Sequence, residues 1–167
     1  MLRQRLPVRP LSATDHDAAL ALCARDRVAN AFVAARIVEG SLRTSPGALL
    51  GHWTDGQLRG LAWVSANVVP VELDDDGVAA VASRIMRMRR QCASIFGPSA
   101  QVAGLWERLG ATWGPARAIR THQPLLTTTS RPSSLGLPLD PDVRPARLDE
   151  VDLVLPAAAH MFTEEIG

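Results

Sequence analysis

Two apolar runs, Ala48-Leu49-Leu50-Gly51-His52-Trp53 and Leu58-Arg59-Gly60-Leu61-Ala62-Trp63-Val64, meet across Thr54-Asp55-Gly56-Gln57. Asp-Gly between such runs is a strong hairpin signal, because both residues tolerate the left-handed backbone that a tight turn demands. On either side the apolar period lengthens to that of a helix. Val28, Ala31, Phe32, Ala35 and Val38 fall on one side of a predicted helix that Gly40 stops. Val78, Val81, Ala82, Ile85 and Met88 line another, opened by Asp74-Asp75-Asp76-Gly77. A hairpin bracketed by helices excludes all-α and all-β architectures and predicts an α/β chain with a mixed sheet.

The remaining elements fit that class. Arg5–Leu11 reads as a first strand with proline at both flanks. Thr14 and Asp15 are N-cap candidates for a helix carrying Leu20, Leu22 and Cys23. Val68–Leu73 reads as a third strand, with Pro70 predicting an edge or a bulge, and Ala93–Gly97 as a short fourth. Pro98-Ser99 caps a helix presenting Val102, Leu105, Trp106 and Leu109 and ending at Gly110. Ala116–Leu126 reads as a further strand or hairpin. The expected order is β-α-α-β-β-β-α-β-α-β.

Composition removes several function classes. The net charge is +1, with 17 carboxylates against 18 cationic side chains, so no electrostatic case exists for nucleic acid or an acidic membrane. Every cation is Arg; Lys and Tyr are absent, which removes a common general acid. Cys23 and Cys92 form no Cys-x-x-Cys pair and sit in apolar surroundings, so both read as buried thiols rather than zinc ligands. No metal site is expected. Met1–Leu11 is not followed by the apolar core of a secretory leader, and Gly60–Val71 is too short to span a bilayer. A cytoplasmic protein without a membrane partner is the expectation. His16 and the pair His160 and Glu164 read as surface partners of nearby carboxylates, and His52 and His122 as structural. Arg84, Arg87, Arg89 and Arg90 read as cations suited to a helix C-terminus, each contributing about 0.3–1 kcal/mol there.

Thr127–Asp142 is rich in proline and hydroxyl side chains and reads as a linker. Beyond it Val143-Arg144-Pro145 repeats Val8-Arg9-Pro10, 135 residues further on (143 − 8). In that register Glu150 matches Asp15, Asp152 matches Asp17 and Leu155 matches Leu20. The expected organisation is a domain over 1–126, a linker over 127–142 and the truncated start of a second copy over 143–167. The chain thus reads as part of something longer.

Ala103-Gly104-Leu105-Trp106-Glu107-Arg108-Leu109-Gly110-Ala111 resembles the late helix-and-turn motif of the GNAT (acyl-CoA-dependent N-acetyltransferase) family, and Val8-Arg9-Pro10 with Asp15 resembles its opening strand and helix. The element order is similar too, so the resemblance covers about Arg5–Leu126. It implies a GNAT-like mixed, mainly antiparallel sheet flanked by about four helices, then the start of a second copy. The arrangement resembles a GNAT-like domain preceding an acetyltransferase domain in one tandem chain. For such a parent the resemblance implies acetyl-CoA as cofactor and an amine as acceptor.

This copy departs from the family at both decisive places. GNAT enzymes seat the coenzyme diphosphate on backbone N–H groups at a helix start, in a glycine-rich loop. The matching place here is Asp74, Asp75, Asp76 and Gly77, where each like-charge contact with a diphosphate costs about 3–4 kcal/mol at an effective dielectric near 20. Trp106 stands in the usual Tyr position, and an indole cannot be the general acid toward a departing thiolate. Ser99 takes the usual Asn place, as a helix cap. The resemblance therefore implies a non-catalytic domain, structural or substrate-shaping, with no coenzyme of its own and a second GNAT-like domain as partner. The alternatives are an active acyltransferase with an atypical coenzyme site using Arg87 or Arg90, and a protein-interaction module. An active copy would show vacant amides beside a V-shaped cleft between splayed strands.

Overall fold

The computed structural model describes residues 7–138 and 140–166. It divides into two compact units, Met1–Leu125 and Leu126–Gly167. In the first, the elements are β1 (Val8–Pro10), α1 (His16–Cys23), α2 (Ala31–Val38), α3 (Ser41–Thr44), β2 (Leu49–Thr54), β3 (Gln57–Val64), β4 (Asn67–Val71), α4 (Asp75–Met86), β5 (Ser94–Ile95) and α5 (Ser99–Trp113). One five-stranded sheet runs in the order β1-β2-β3-β4-β5, antiparallel throughout except for the parallel β4–β5 pair. This is the α/β, mixed and mainly antiparallel sheet flanked by helices that the sequence predicts.

The sheet is buried on both faces, which is why its strands read as near-continuous apolar runs. Alternation divides each strand between two cores. Leu50, Ala62 and Val68 pack with Val78, Val81 and Ile85 of α4 and Leu105 and Leu109 of α5. Leu49, Leu61, Trp63, Val69 and Val71 pack with Leu22 and Cys23 of α1 and Val33 and Ile37 of α2. The β2–β3 turn has Asp55 at φ 51° and Gly56 at φ 75°, the left-handed pair expected of Asp-Gly.

Several expectations change. Within the predicted first strand only Val8–Pro10 is a strand, and Arg5 and Leu6 lie outside the described residues. Thr14 and Asp15 fall in a 3-10 turn, Ala13–Asp15; Asp15 is the N-cap residue of α1, as one of the two candidates, but its carboxylate makes no cap bond and accepts instead from Ser12 N at 2.8 Å. The second helix begins later than its apolar spacing implies, because the Asp26 carboxylate accepts from the amides of Val28 and Ala29 at 3.1 and 2.9 Å and closes a turn. Its buried side chains are therefore Val33 and Ile37, while Val28 and Val38 face solvent. Pro70 lies in an inner strand. It is tolerated because β5 pairs only with Asn67 and Val68, so no strand faces the N–H that proline lacks. α5 runs past Gly110 to Trp113, and Gly110 serves instead to admit the Trp106 ring, which lies 3.2 Å from where a Cβ would stand. Pro98 is the N-cap and Ser99 the first helical residue, so Ser99 caps nothing. Ala116–Leu126 forms no strand: the segment is almost wholly exposed, and nothing pairs with it.

Arg9 and Asp15 clamp the first unit's opening. Arg9 Nη1 and Nη2 donate to Asp15 Oδ2 and Oδ1 at 3.0 and 2.9 Å, and Ser12 Oγ adds a bond to Asp15 Oδ2 at 3.0 Å. These donors hold the Asp15 carboxyl down to about 2, the guanidinium foremost and against the opposing effect of burial.

The second unit contains a 3-10 turn at Pro132–Leu135, another at Leu148–Glu150, and α6 (Val151–Ile166), with Pro156 inside the helix. Residues 143–147 are extended in sequence pattern but form no strand, since none pairs with them. Arg144 donates to both carboxylate oxygens of Glu150, and Arg147 N donates to Glu150 Oε2 at 2.8 Å. Among the described residues no helix is long and apolar enough to cross a membrane.

Candidate functional site

The candidate site is the passage from β4 into α4. Asp74 is the N-cap of α4, and its Oδ1 accepts from Gly77 N at 2.7 Å. Its carbonyl accepts from Val78 N at 2.8 Å. A helix start leaves four amide donors unpaired. Here they are the amides of Asp74, Asp75, Asp76 and Gly77; the Asp74 carboxylate takes that of Gly77, and Val78 N makes the first ordinary helical bond.

All three aspartates are exposed. That alters the electrostatic argument made from sequence. In water a like-charge contact at 4–6 Å costs about 1 kcal/mol or less, not the 3–4 of a partly buried site. Occupancy matters more. A ligand that uses the Gly77 amide must first displace a short charge-assisted bond, worth about 1 kcal/mol or more.

The ground around the loop is filled. A Cβ on Gly77 would stand 2.9 Å from His52 Nδ1, 3.0 Å from Asp74 Oδ1 and 3.1 Å from Leu73 Cδ2. His52 is buried in β2 and its Nδ1 has no partner, so it is structural in the packing sense while leaving one polar atom unsatisfied. Glu72 takes a positive φ of 54°, and its carbonyl passes 2.7 Å from where a Cβ on Gly60 would be, so only glycine fits at that point of β3. Leu73 N donates to Gln101 Oε1 at 3.0 Å, tying the loop to α5. Gln101 was not legible as part of this site; a glycine interrupting the β3 run was the one signal of a close backbone approach.

Beside it β5 pairs with β4 only at Asn67 and Val68, and Phe96 N adds a bond to Val68 O at 3.1 Å. Beyond that the chain passes close to Pro70 at Gly97, where a Cβ would lie 3.3 Å from Pro70 Cδ. Phe32 packs edge-on against Trp63 and Phe96, with ring centroids at 6.3 and 5.4 Å. Two recesses lie elsewhere on this unit. One of about 150 Å³ is lined by Val64, Met88, Arg90 and Trp113, and one of about 220 Å³ by His16, Ile37 and Arg43. Both fall below the roughly 300–1,000 Å³ of ordinary cofactor sites, and Asp74–Gly77 line neither.

Trp106 is partly buried on α5, its ring against Gly110. The arginine cluster does not bond the last carbonyls of α4. Arg87 donates to Ser83 Oγ at 3.0 Å, and Arg90 to Cys92 O and Trp113 O at 3.3 and 3.0 Å while lying over the Trp113 ring. It thus holds the end of α5 instead. Arg87 is also at the far end of α4 from Gly77, about 15 Å along the helix for ten residues at about 1.5 Å each. Cys23 and Cys92 are free and buried, and burial pushes both thiols up, Cys23 to about 11. Neither is an activated nucleophile. His16 Nδ1 pairs with Asp17 at 2.8 Å, and His160 lies 3.7 Å from Glu164 with both side chains exposed. His122 sits in exposed coil. Among the described residues no three His, Cys, Asp or Glu side chains gather to hold a metal ion.

These features define an α/β domain whose fourth strand leads into a carboxylate-capped helix. The family described as a domain of unknown function, DUF4081, matches residues 47–154, and the chain belongs to that family. The match begins before β2, runs through residues 127–142 and ends inside α6. No curated protein and no solved structure matches the chain.

Proposed function

We propose that the first unit is a catalytically silent GNAT-like domain, the N-terminal part of a tandem N-acetyltransferase, whose role is structural or substrate-shaping. The parent takes acetyl-CoA through a second GNAT-like domain, and this copy takes none. The observation that carries the reading is the Asp74 carboxylate bound to Gly77 N–H at 2.7 Å, where the family's diphosphate seat would be. The indole of Trp106 supports it. Arg87 and Arg90, the cations available to an atypical active copy, lie at the far end of α4, and Arg90 is already engaged. The free, buried thiols suit a cytoplasmic setting.

Isothermal titration of the chain with acetyl-CoA tests the reading. No heat of binding is expected at millimolar ligand; micromolar binding overturns it. Asp74→Ala separates occupancy from charge, since it frees the Gly77 amide while Asp75 and Asp76 remain.

A further inference from the structure

The two units repeat one another in bonds as well as in letters. Arg9 to Asp15 and Arg144 to Glu150 are both two-pronged pairs. In each, the same arginine also donates to the following proline carbonyl, Pro10 O at 3.1 Å and Pro145 O at 3.2 Å. Ser12 N and Arg147 N donate to the two clamped carboxylates at 2.8 Å each. Asp15 N and Glu150 N close the same turn, onto Ser12 O at 3.0 Å and Arg147 O at 3.1 Å. The equivalence survives two changes of side chain, so it is the local fold that recurs rather than a chance tripeptide. In both units a 3-10 turn then feeds a helix, α1 in one and α6 in the other.

Burial is what differs. Val8 is 5% exposed, and its equivalent Val143 is 79% exposed. Ala19 is fully buried, and its equivalent Val154 is 43% exposed. Leu155, in the place of the half-buried Leu20, is 61% exposed. Met161 and Phe162 extend the same stripe along α6 and are about half exposed. In the first unit the matching positions are covered by a hairpin. Val8 pairs with His52 of β2, and Ala19, Leu22 and Cys23 share a core with Leu49, Leu61 and Trp63 of β2 and β3.

We propose that residues 143–147 and the Val154–Leu155–Phe162 face of α6 form a docking surface for an antiparallel β-hairpin of the β2–β3 kind, belonging to the second GNAT-like copy. The proposal rests on the tandem reading and names what its second copy must supply. The hairpin's edge strand pairs with 143–145, and its apolar face covers α6. This chain's own hairpin is not that occupant, because β2 already spends its edge on β1, with Val8, Arg9 and Pro10 opposite His52, Gly51 and Leu50.

Hydrogen exchange read by mass spectrometry tests this on two chains. One ends at Gly167, and the other continues through roughly a hundred further residues encoded after it, about one domain's worth. The α6 amides are expected to exchange at least about 100-fold more slowly in the longer chain, with α1 unchanged. Val154→Asp in the longer chain is expected to abolish that protection and leave α1 protected. Equal α6 exchange in both chains overturns the proposal, as does a stop codon directly after Gly167. So does α6 protection in the shorter chain that grows with its concentration, which makes the occupant a second copy, or that appears only with anionic vesicles. Acetyl-CoA titration of the first unit is independent: binding there overturns the silent-domain reading and leaves the docking result standing.

Discussion

Replacing Asp15 by Asn is expected to destabilise the first unit at neutral pH and to do nothing in strong acid. The Asp15 carboxyl lies at about 2 instead of 3.8 because the Arg9 guanidinium and Ser12 bond its ionised form. A displacement of that size corresponds to about 2 kcal/mol of preference for the charged state. The Asp15 side chain is 8% exposed, so little of this is lost to water on its side, but Arg9 is 44% exposed and screening trims the figure to about 1–2 kcal/mol. Against a typical domain stability of about 5–15 kcal/mol that is readily measured. The group is depressed on folding, so its contribution is complete above the unfolded value and vanishes as pH falls through 3.8 towards about 2. Urea unfolding followed by tryptophan fluorescence should therefore separate wild type from Asp15→Asn by about 1–2 kcal/mol above about pH 5, with the gap closing below pH 3. A gap of the same size at both ends of the pH range refutes the electrostatic origin; no gap at pH 7 refutes the clamp. Glu150→Gln, which breaks the equivalent pair, should leave this transition unmoved.

Asp74→Ala removes the α4 cap and should cost about 1 kcal/mol by the same unfolding assay, with helix content otherwise retained by circular dichroism. Gly77→Ala is a contest between helix propensity, which favours alanine by about 1 kcal/mol, and the crowding of His52, Asp74 and Leu73 against the new methyl. The crowding should win, giving a net loss of about 1–2 kcal/mol; a stabilised variant would show that the loop yields. Leu61→Ala empties a fully buried position in the α1–α2 core and should cost about 2–5 kcal/mol, lowering the urea midpoint without changing the slope.

Two effects oppose an anion at the start of α4, and they differ in size. Three aspartates in sequence invite an appeal to repulsion, but exposure weakens repulsion to about the thermal scale per pair. The single bond from Gly77 N to Asp74 does not weaken in that way, since it is local and the donor is fixed by the backbone. A phosphate competing for this helix start meets a resident carboxylate already at hydrogen-bond distance.

The amino-acid sequence by itself determined the hairpin, the carboxylate-opened α4, the buried thiols and the recurrence of Arg9 and Asp15 as Arg144 and Glu150. Each depends on neighbours in sequence: turn geometry, capping and a six-residue clamp are satisfied within a few residues of chain. Tertiary structure alone decided which face of α2 is buried, because the Asp26 turn resets the helix phase and the sheet then selects Val33 and Ile37. It also decided that Ala116–Leu126 is no strand, since a strand exists only where a partner supplies its hydrogen bonds. Arg90 went to the end of α5, and Gln101 to the loop before α4, for the same reason: their partners lie 23 and 28 residues away in sequence and are brought near only by packing.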